Sequence, residues 1–281
     1  MTNVIEFDDY DLHETLKVAS EFGTDRFGYV VTPNVDHIIR HCDDPSFRAL
    51  YADAAYVVLD SRFLANTAAL IRGQTLPVCC GSDLATAMFG STLKANDVTV
   101  LVGATKTQAE ILRTRYGLKA LHHIDPPMNF IRNPTAVEDC LKQIEALAPF
   151  RFCFLAIGSP QQEIVAQKLK QRGKARGLAL CVGAAINFMT GVEQRAPQWM
   201  QNLGMEWLFR LMSSPRRLAK RYLIKGPRFF LLLPRLELKL RRRSTGSEVK
   251  DFGAAASKLH SHGATMPVGT TAIAGSGGSA S

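Results

Sequence analysis

Short apolar runs, each closed by small polar residues and followed by a helical pattern, recur through the first two thirds of the chain. A strand that hands over to a helix in this way returns to pair in parallel, so the recurrence points to β-α units around a parallel sheet. Five runs are clear. Residues 28–31 lead into Thr32-Pro33-Asn34, and residues 55–59 into Asp60-Ser61. Residues 98–102 lead into Gly103-Ala104-Thr105, residues 151–157 into Gly158-Ser159-Pro160, and residues 178–182 into Gly183-Ala184-Ala185. The intervening helices carry their own punctuation: 107–116 stops at Gly117, 161–172 stops at Gly173, and 134–147 opens with Pro134.

Ligands of open α/β sheets sit beyond the carboxyl ends of the strands. That geometry gathers Thr32, Asn34, Asp60, Gly103, Gly158, Ser159 and Asn187 around one crevice. Each of these residue types also caps helices or makes turns. Their recurrence at successive strand ends is what favours a binding site.

Charge is concentrated at one end. The chain carries a net +9, and residues 216–243 hold eleven Lys or Arg against the single acid Glu237, which leaves the rest of the molecule close to neutral. A localised basic block calls for a polyanionic surface, either anionic lipid or nucleic acid. Large apolar residues interleave with these cations from Phe229 to Arg243, as in interfacial helices whose Lys and Arg snorkel. A packed C-terminal helix and a nucleic-acid-binding arm are the competing readings; the near-neutral body and the lack of an RNA-binding aromatic pattern count against the latter. The division expected is an α/β domain over 1–204, a basic amphipathic helical appendage over 205–243, and a disordered Gly/Ser/Ala-rich tail over 244–281. The longest apolar stretch near this end, residues 229–233, is far short of the ~20 residues a spanning helix needs. The acidic start of the chain lacks the pattern of a secretory signal, so a cytosolic location is expected.

Several chemistries lose their main support. There is no G-x-G-x-x-G, no Walker A segment and no G-x-S-x-G elbow. The six cysteines show no C-x-x-C spacing and read as small hydrophobes. Asp9-Tyr10-Asp11 reads as a solvated acidic turn, and His37 with His41 has no third ligand at a recognisable spacing, so no metal site is expected. What remains is a lone carboxylate, Asp60, at a strand end among hydroxyl and amide groups, which suits a step with one general base.

Residues 31–34 (VTPN), 59–60 (LD), 81–84 (GSDL), 158–163 (GSPQQE), 182–188 (VGAAINF) and 194–197 (QRAP) occur in order with 203–210 (LGMEWLFR) and 215–222 (PRRLAKRY). Over about residues 25–225 this series resembles the WecG/TagA/CpsF glycosyltransferases. The resemblance implies a Rossmann-like α/β/α fold and an inverting, metal-independent bacterial enzyme of cell-surface polysaccharide synthesis. Such an enzyme moves a hexose or N-acetylhexosamine-type sugar from a UDP-sugar to a polyprenyl-diphosphate-linked saccharide. By position Asp60 matches the general base, with Thr32 grouped beside it as catalytic and Asn34 lining the same pocket. Gln162 matches a donor-sugar contact, and Glu163, Asn187 and Arg195 are counted with the substrate-binding residues. Helix N-termini after Gly103 and Gly158, with Ser159, offer N–H groups to a diphosphate.

The resemblance also implies a C-terminal appendage that reaches the inner membrane face and completes the site with Arg210, Arg217 and Lys220, and it is compatible with a homo-oligomer. Lys220 departs from the more usual Arg. Three further departures are Val78 where many members carry Arg, Ser61 where Gly is frequent, and Asn187 for a frequent Asp; Arg62 and Arg72 are the candidates to replace the missing guanidinium. These departures motivate an alternative, a catalytically inactive member that binds UDP-sugar or serves as a scaffold.

Overall fold

The computed structural model describes residues 3–242 of the chain, within one compact unit spanning Met1–Ser244. The tail expected over 244–281 lies outside the described residues. In chain order the elements are β1 (Asn3–Asp8), α1 (Leu12–Glu21), β2 (Phe27–Val31), α2 (Val35–Asp43), α3 (Pro45–Ala52), β3 (Tyr56–Val57), α4 (Arg62–Arg72) and α5 (Gly81–Ala87). Next come β4 (Thr99–Val102), α6 (Lys106–Tyr116), β5 (Leu121–Ile124), α7 (Pro134–Ala146), β6 (Phe152–Leu155), α8 (Gln161–Arg172), β7 (Gly177–Cys181) and α9 (Ala185–Met189). The chain closes with α10 (Gln198–Asn202), α11 (Glu206–Ser213), α12 (Pro215–Ala219), α13 (Arg228–Leu232) and β8 (Leu236–Arg241).

Local chemistry sets the boundaries. Asp11 caps α1 in a reciprocal box with Glu14, so the acidic turn at the N-terminus serves a helix. Asn34 caps α2 and Ser61 caps α4. Gly117 and Gly173 end α6 and α8 in the left-handed conformation, as the sequence predicts.

Among the described residues, six parallel strands form one sheet in the order β3-β2-β7-β6-β4-β5. Alternate residues face opposite layers: Tyr29, Val31, Cys153, Leu155, Ala179 and Cys181 enter one core, and Val30, Phe152, Phe154, Leu178 and Leu180 enter the other. Helices cover both faces, and the fold is the expected Rossmann-like α/β. The cysteines are free thiols, all buried except the half-buried Cys42.

Three strands escape the sequence reading. β5 lies at the sheet edge and carries Leu-His-His-Ile, so it lacks an apolar run. β1 and β8 form a separate parallel pair, with Asn3 opposite Leu236 and Asp8 opposite Arg241. The wholly helical appendage expected over 205–243 is therefore corrected: helical turns run to Arg235, and residues 236–241 are extended. Leu236, Leu238 and Leu240 alternate with Glu237, Lys239 and Arg241, a period of two that belongs to a strand.

This pair fastens the end of the chain. Asp8 is fully buried; its oxygens accept from Arg241 Nε and Nη2 at 2.9 and 3.1 Å, and its Oδ2 also accepts from Val57 N–H at 2.8 Å. Arg72 donates to the carbonyls of Leu233 and Leu236, and Gln74 to that of Leu238 at 2.8 Å. Asp8→Ala strips the acceptor from a buried N–H and from a guanidinium at once. The expected loss in urea melts is about 2–3 kcal/mol; a loss below about 0.5 kcal/mol would show that the pairing is dispensable.

Candidate active site

A cavity of about 770 Å³ opens beyond the carboxyl ends of β3, β2, β7 and β6. Thr32 and Asn34 reach it after β2, Asp60 after β3, Gly158, Ser159 and Gln162 after β6, and Asn187 on α9 after β7. The C-terminal segment supplies the opposite wall through Glu206, Trp207, Arg210, Leu218, Tyr222 and Phe230. The structure thus brings together most of the residues that the sequence places in one crevice.

Gly103 is not among them. It follows β4, which lies beyond β6 in the sheet order. A side chain at Gly103 would meet Ile157 at 2.7 Å, and its φ of +82° suits glycine, so it lets two strand-end turns pack together. The N-terminus of α6 behind it is already closed, because Thr105 and Gln108 cap each other's N–H groups at 3.2 and 2.9 Å. The N-terminus of α8 differs: Pro160 precedes it without a side-chain cap, and Gly158, Ser159 and Gln162 face the cavity there. Glu163, Arg195 and Lys220 also lie outside the cavity wall. The side chain of Arg217 falls outside the described residues.

Asp60 is half-buried in the wall, and its N–H donates to the Pro33 carbonyl at 2.9 Å, which fixes the β3 turn beside the β2 turn. Burial pushes its carboxyl up to about 7; the negative charge of Glu206 pushes the same way, while the Cys80 thiol and the Arg210 charge oppose it. Arg210 lies over the Phe188 ring at 5.5 Å, which steadies the guanidinium. A carboxyl that titrates near neutrality in a cavity is suited to take a proton from a substrate hydroxyl.

The amide and hydroxyl groups around it are held in place. Thr32 Oγ1 donates to the Cys181 carbonyl at 3.1 Å, tying the β2 turn to β7. Asn34 Oδ1 accepts from Asp36 N–H at 3.1 Å as a helix cap, so it is both cap and wall. Gln162 accepts from Gly183 N–H and donates to Glu163 Oε1, both at 3.0 Å. Glu163 is buried behind this layer with His37 at 3.5 Å; burial would raise its pKa, but His37 and Gln162 hold it below the usual range. Glu163 thus supports the cavity from behind. Asn187 is gripped between Gln108 at 3.0 Å and Glu193 at 3.2 Å.

Reading the sequence did not count Cys80, Glu206, Phe188 or Trp207 among the site residues, although the last three lie in segments that carry the resemblance. A signal existed for one of them: Glu206 lies four residues before Arg210, on the same face of a helix. Among the described residues no group of three His, Cys, Asp or Glu side chains is placed to hold a metal ion. His37 and His41 pack instead against Phe47 and Tyr51, and burial with the neighbouring Arg48 lowers His41 to about 4.

A doubly covered parallel sheet with a near-neutral carboxyl in a cavity at its carboxyl edge is the build of an α/β enzyme. The family model of the glycosyl transferase WecG/TagA/CpsF family matches residues 2–244, and the chain belongs to that family. It is by family a glycosyltransferase.

The charges around Asp60 fix the sign of substitution effects on the pH dependence of sugar transfer. Glu206→Gln removes a negative neighbour and is expected to shift the alkaline-activated limb of kcat/KM down by about one unit, and Arg210→Ala to shift it up by a similar amount. Limbs that stay at the wild-type position in both variants would show that Asp60 does not govern the profile.

Proposed function

We propose that this chain is an inverting glycosyltransferase that moves a sugar from a UDP-sugar to a polyprenyl-diphosphate-linked saccharide, without a metal ion, at the inner membrane face. The observation that carries the reading is Asp60, a carboxyl pushed up to about 7 in the cavity wall. The acceptor hydroxyl gives its proton to Asp60 as its oxygen forms a bond to the anomeric carbon. The bond from that carbon to the donor diphosphate breaks on the opposite side, and UDP departs with the bonding electrons. One inversion results. Thr32 and Asn34 orient the reacting groups, and Gln162 and Asn187 contact the sugars. The departing negative charge is met by Arg210 and the uncapped start of α8.

The C-terminal segment supports the membrane part of the reading. No described helix is long and apolar enough to cross a membrane. Leu223, Phe230 and Leu231 are exposed, and Leu223 and Phe230 also line the cavity, so an apolar rim adjoins the reacting groups. Arg228 and Arg235 flank the last two in sequence, a mix that docks reversibly on anionic lipid.

The test is UDP release from a panel of UDP-sugars with detergent-solubilised polyprenyl-diphosphate saccharides. Asp60→Asn is expected to lower acceptor-dependent release about 10²–10⁴-fold while leaving UDP binding intact. Turnover at the wild-type rate in that variant would exclude the assigned base. Flotation with anionic vesicles should weaken in the double variant Phe230→Asp, Leu231→Asp; unchanged flotation would remove the docking role of this rim.

A further inference from the structure

Beside Asp60 runs a line of polar groups that the proton transfer leaves unused, with Cys80 and Arg62 in the cavity wall and Asp83 and Arg195 behind it. The Cys80 thiol hydrogen-bonds Asp60, and its sulfur accepts from Arg62 Nη1 at 3.3 Å. Arg62 Nη2 donates to Asp83 Oδ2 at 3.1 Å, and the other oxygen of Asp83 accepts from Arg195 Nη1. These three charged side chains are only 28%, 22% and 24% exposed. Burial would raise Asp83, yet the two guanidinium groups hold it below the usual carboxylate range, so it stays ionised between them.

Two cations share the one carboxylate of Asp83, and Glu206 adds its attraction to Arg195 and not to Arg62. Without Arg195, Asp83 would neutralise Arg62 outright. With Arg195 taking part of that negative charge, Arg62 keeps attraction to spare and faces the cavity. Arg195 keeps Nε and Nη2 buried without a hydrogen-bond partner among the described residues, which confirms that the group has more donors than acceptors. Of the other arginines in the cavity wall, Arg40 pairs with Asp36 at 2.6 Å, and Arg210 lies over Phe188 on the opposite, C-terminal side. An excess of forked donors in a half-enclosed wall is the recognition chemistry of phosphate oxygens.

We propose that Arg62 binds a substrate diphosphate next to Asp60, and that Asp83 and Arg195 are positioning residues that orient it and preserve its charge. The assignment rests on the glycosyl-transfer reading, in which both the nucleotide donor and the lipid-linked acceptor carry a diphosphate. Arg62 opens α4 two residues after Asp60, so the cation and the base are set on one turn of chain.

The experiment is calorimetry of inorganic pyrophosphate and UDP with the full-length chain, together with KM for donor and acceptor, in wild type, Arg62→Gln, Arg62→Lys and Arg195→Gln. Arg62→Gln should weaken pyrophosphate binding about 10- to 100-fold, and Arg62→Lys should recover part of it. Arg195→Gln should weaken it less, and in neither variant should kcat fall as steeply as KM rises. A rise confined to the UDP Kd and donor KM assigns the subsite to the donor, and a rise confined to acceptor KM assigns it to the lipid diphosphate. Should Arg62→Gln fail to fold, Arg62→Lys and Arg195→Gln carry the test. Unchanged pyrophosphate affinity and unchanged KM values in folded variants would overturn the proposal, as would a wild-type protein that does not bind pyrophosphate. A wild type that binds pyrophosphate but transfers no sugar would contradict the glycosyl-transfer reading and leave the anion subsite standing.

Discussion

The return of the chain end to the α/β body governs the site. β8 pairs with β1, Asp8 ties Arg241 to the N–H of Val57, and Arg72 grips two carbonyls just before and at the start of β8. These contacts hold the segment that supplies Glu206, Trp207, Arg210 and Phe230 to the cavity. Asp60 follows Val57 by three residues, so the strand that carries the proposed base is fastened by the same carboxylate that fastens the chain end. Withdraw the C-terminal wall and Asp60 faces water, which removes the desolvation that raises its pKa.

Within the cavity the two sides of the wall divide the electrostatic work. Burial raises Asp60 toward neutrality; toward α11, Glu206 adds to this by favouring the protonated form, and Arg210 opposes it. Toward α4 and α5, the alternating series of thiol, guanidinium, carboxylate and guanidinium presents positive charge. Asp60 and Arg62 are bridged by the single sulfur atom of Cys80.

Much of the architecture is legible because its signals are local. Valine- and leucine-rich runs that end in polar turns give the inner strands, and Gly117, Gly173 and Pro134 mark helix ends where the structure has them. The strand-end rule brings Thr32, Asn34, Asp60, Gly158, Ser159 and Asn187 to one cavity, and the resemblance adds Gln162. It misplaces Gly103 because strand order decides which turns converge, and order is a property of crossovers that no single segment displays. β8 is misread for a different reason: its cations draw attention to charge, while the leucine alternation that makes it a strand gains meaning only opposite β1. The pairing of Arg62 and Arg195 on Asp83 spans well over a hundred residues and has no sequence signature.

The central claim is that Asp60 is a base poised near neutrality by its enclosure. Carbon-13 NMR of the aspartate carboxyls, with Asp60→Asn to assign the resonance, measures this without any assumption about substrate. The account predicts a carboxyl that titrates at about 7. A resonance that titrates near the ordinary aspartate value of about 3.9 would contradict it.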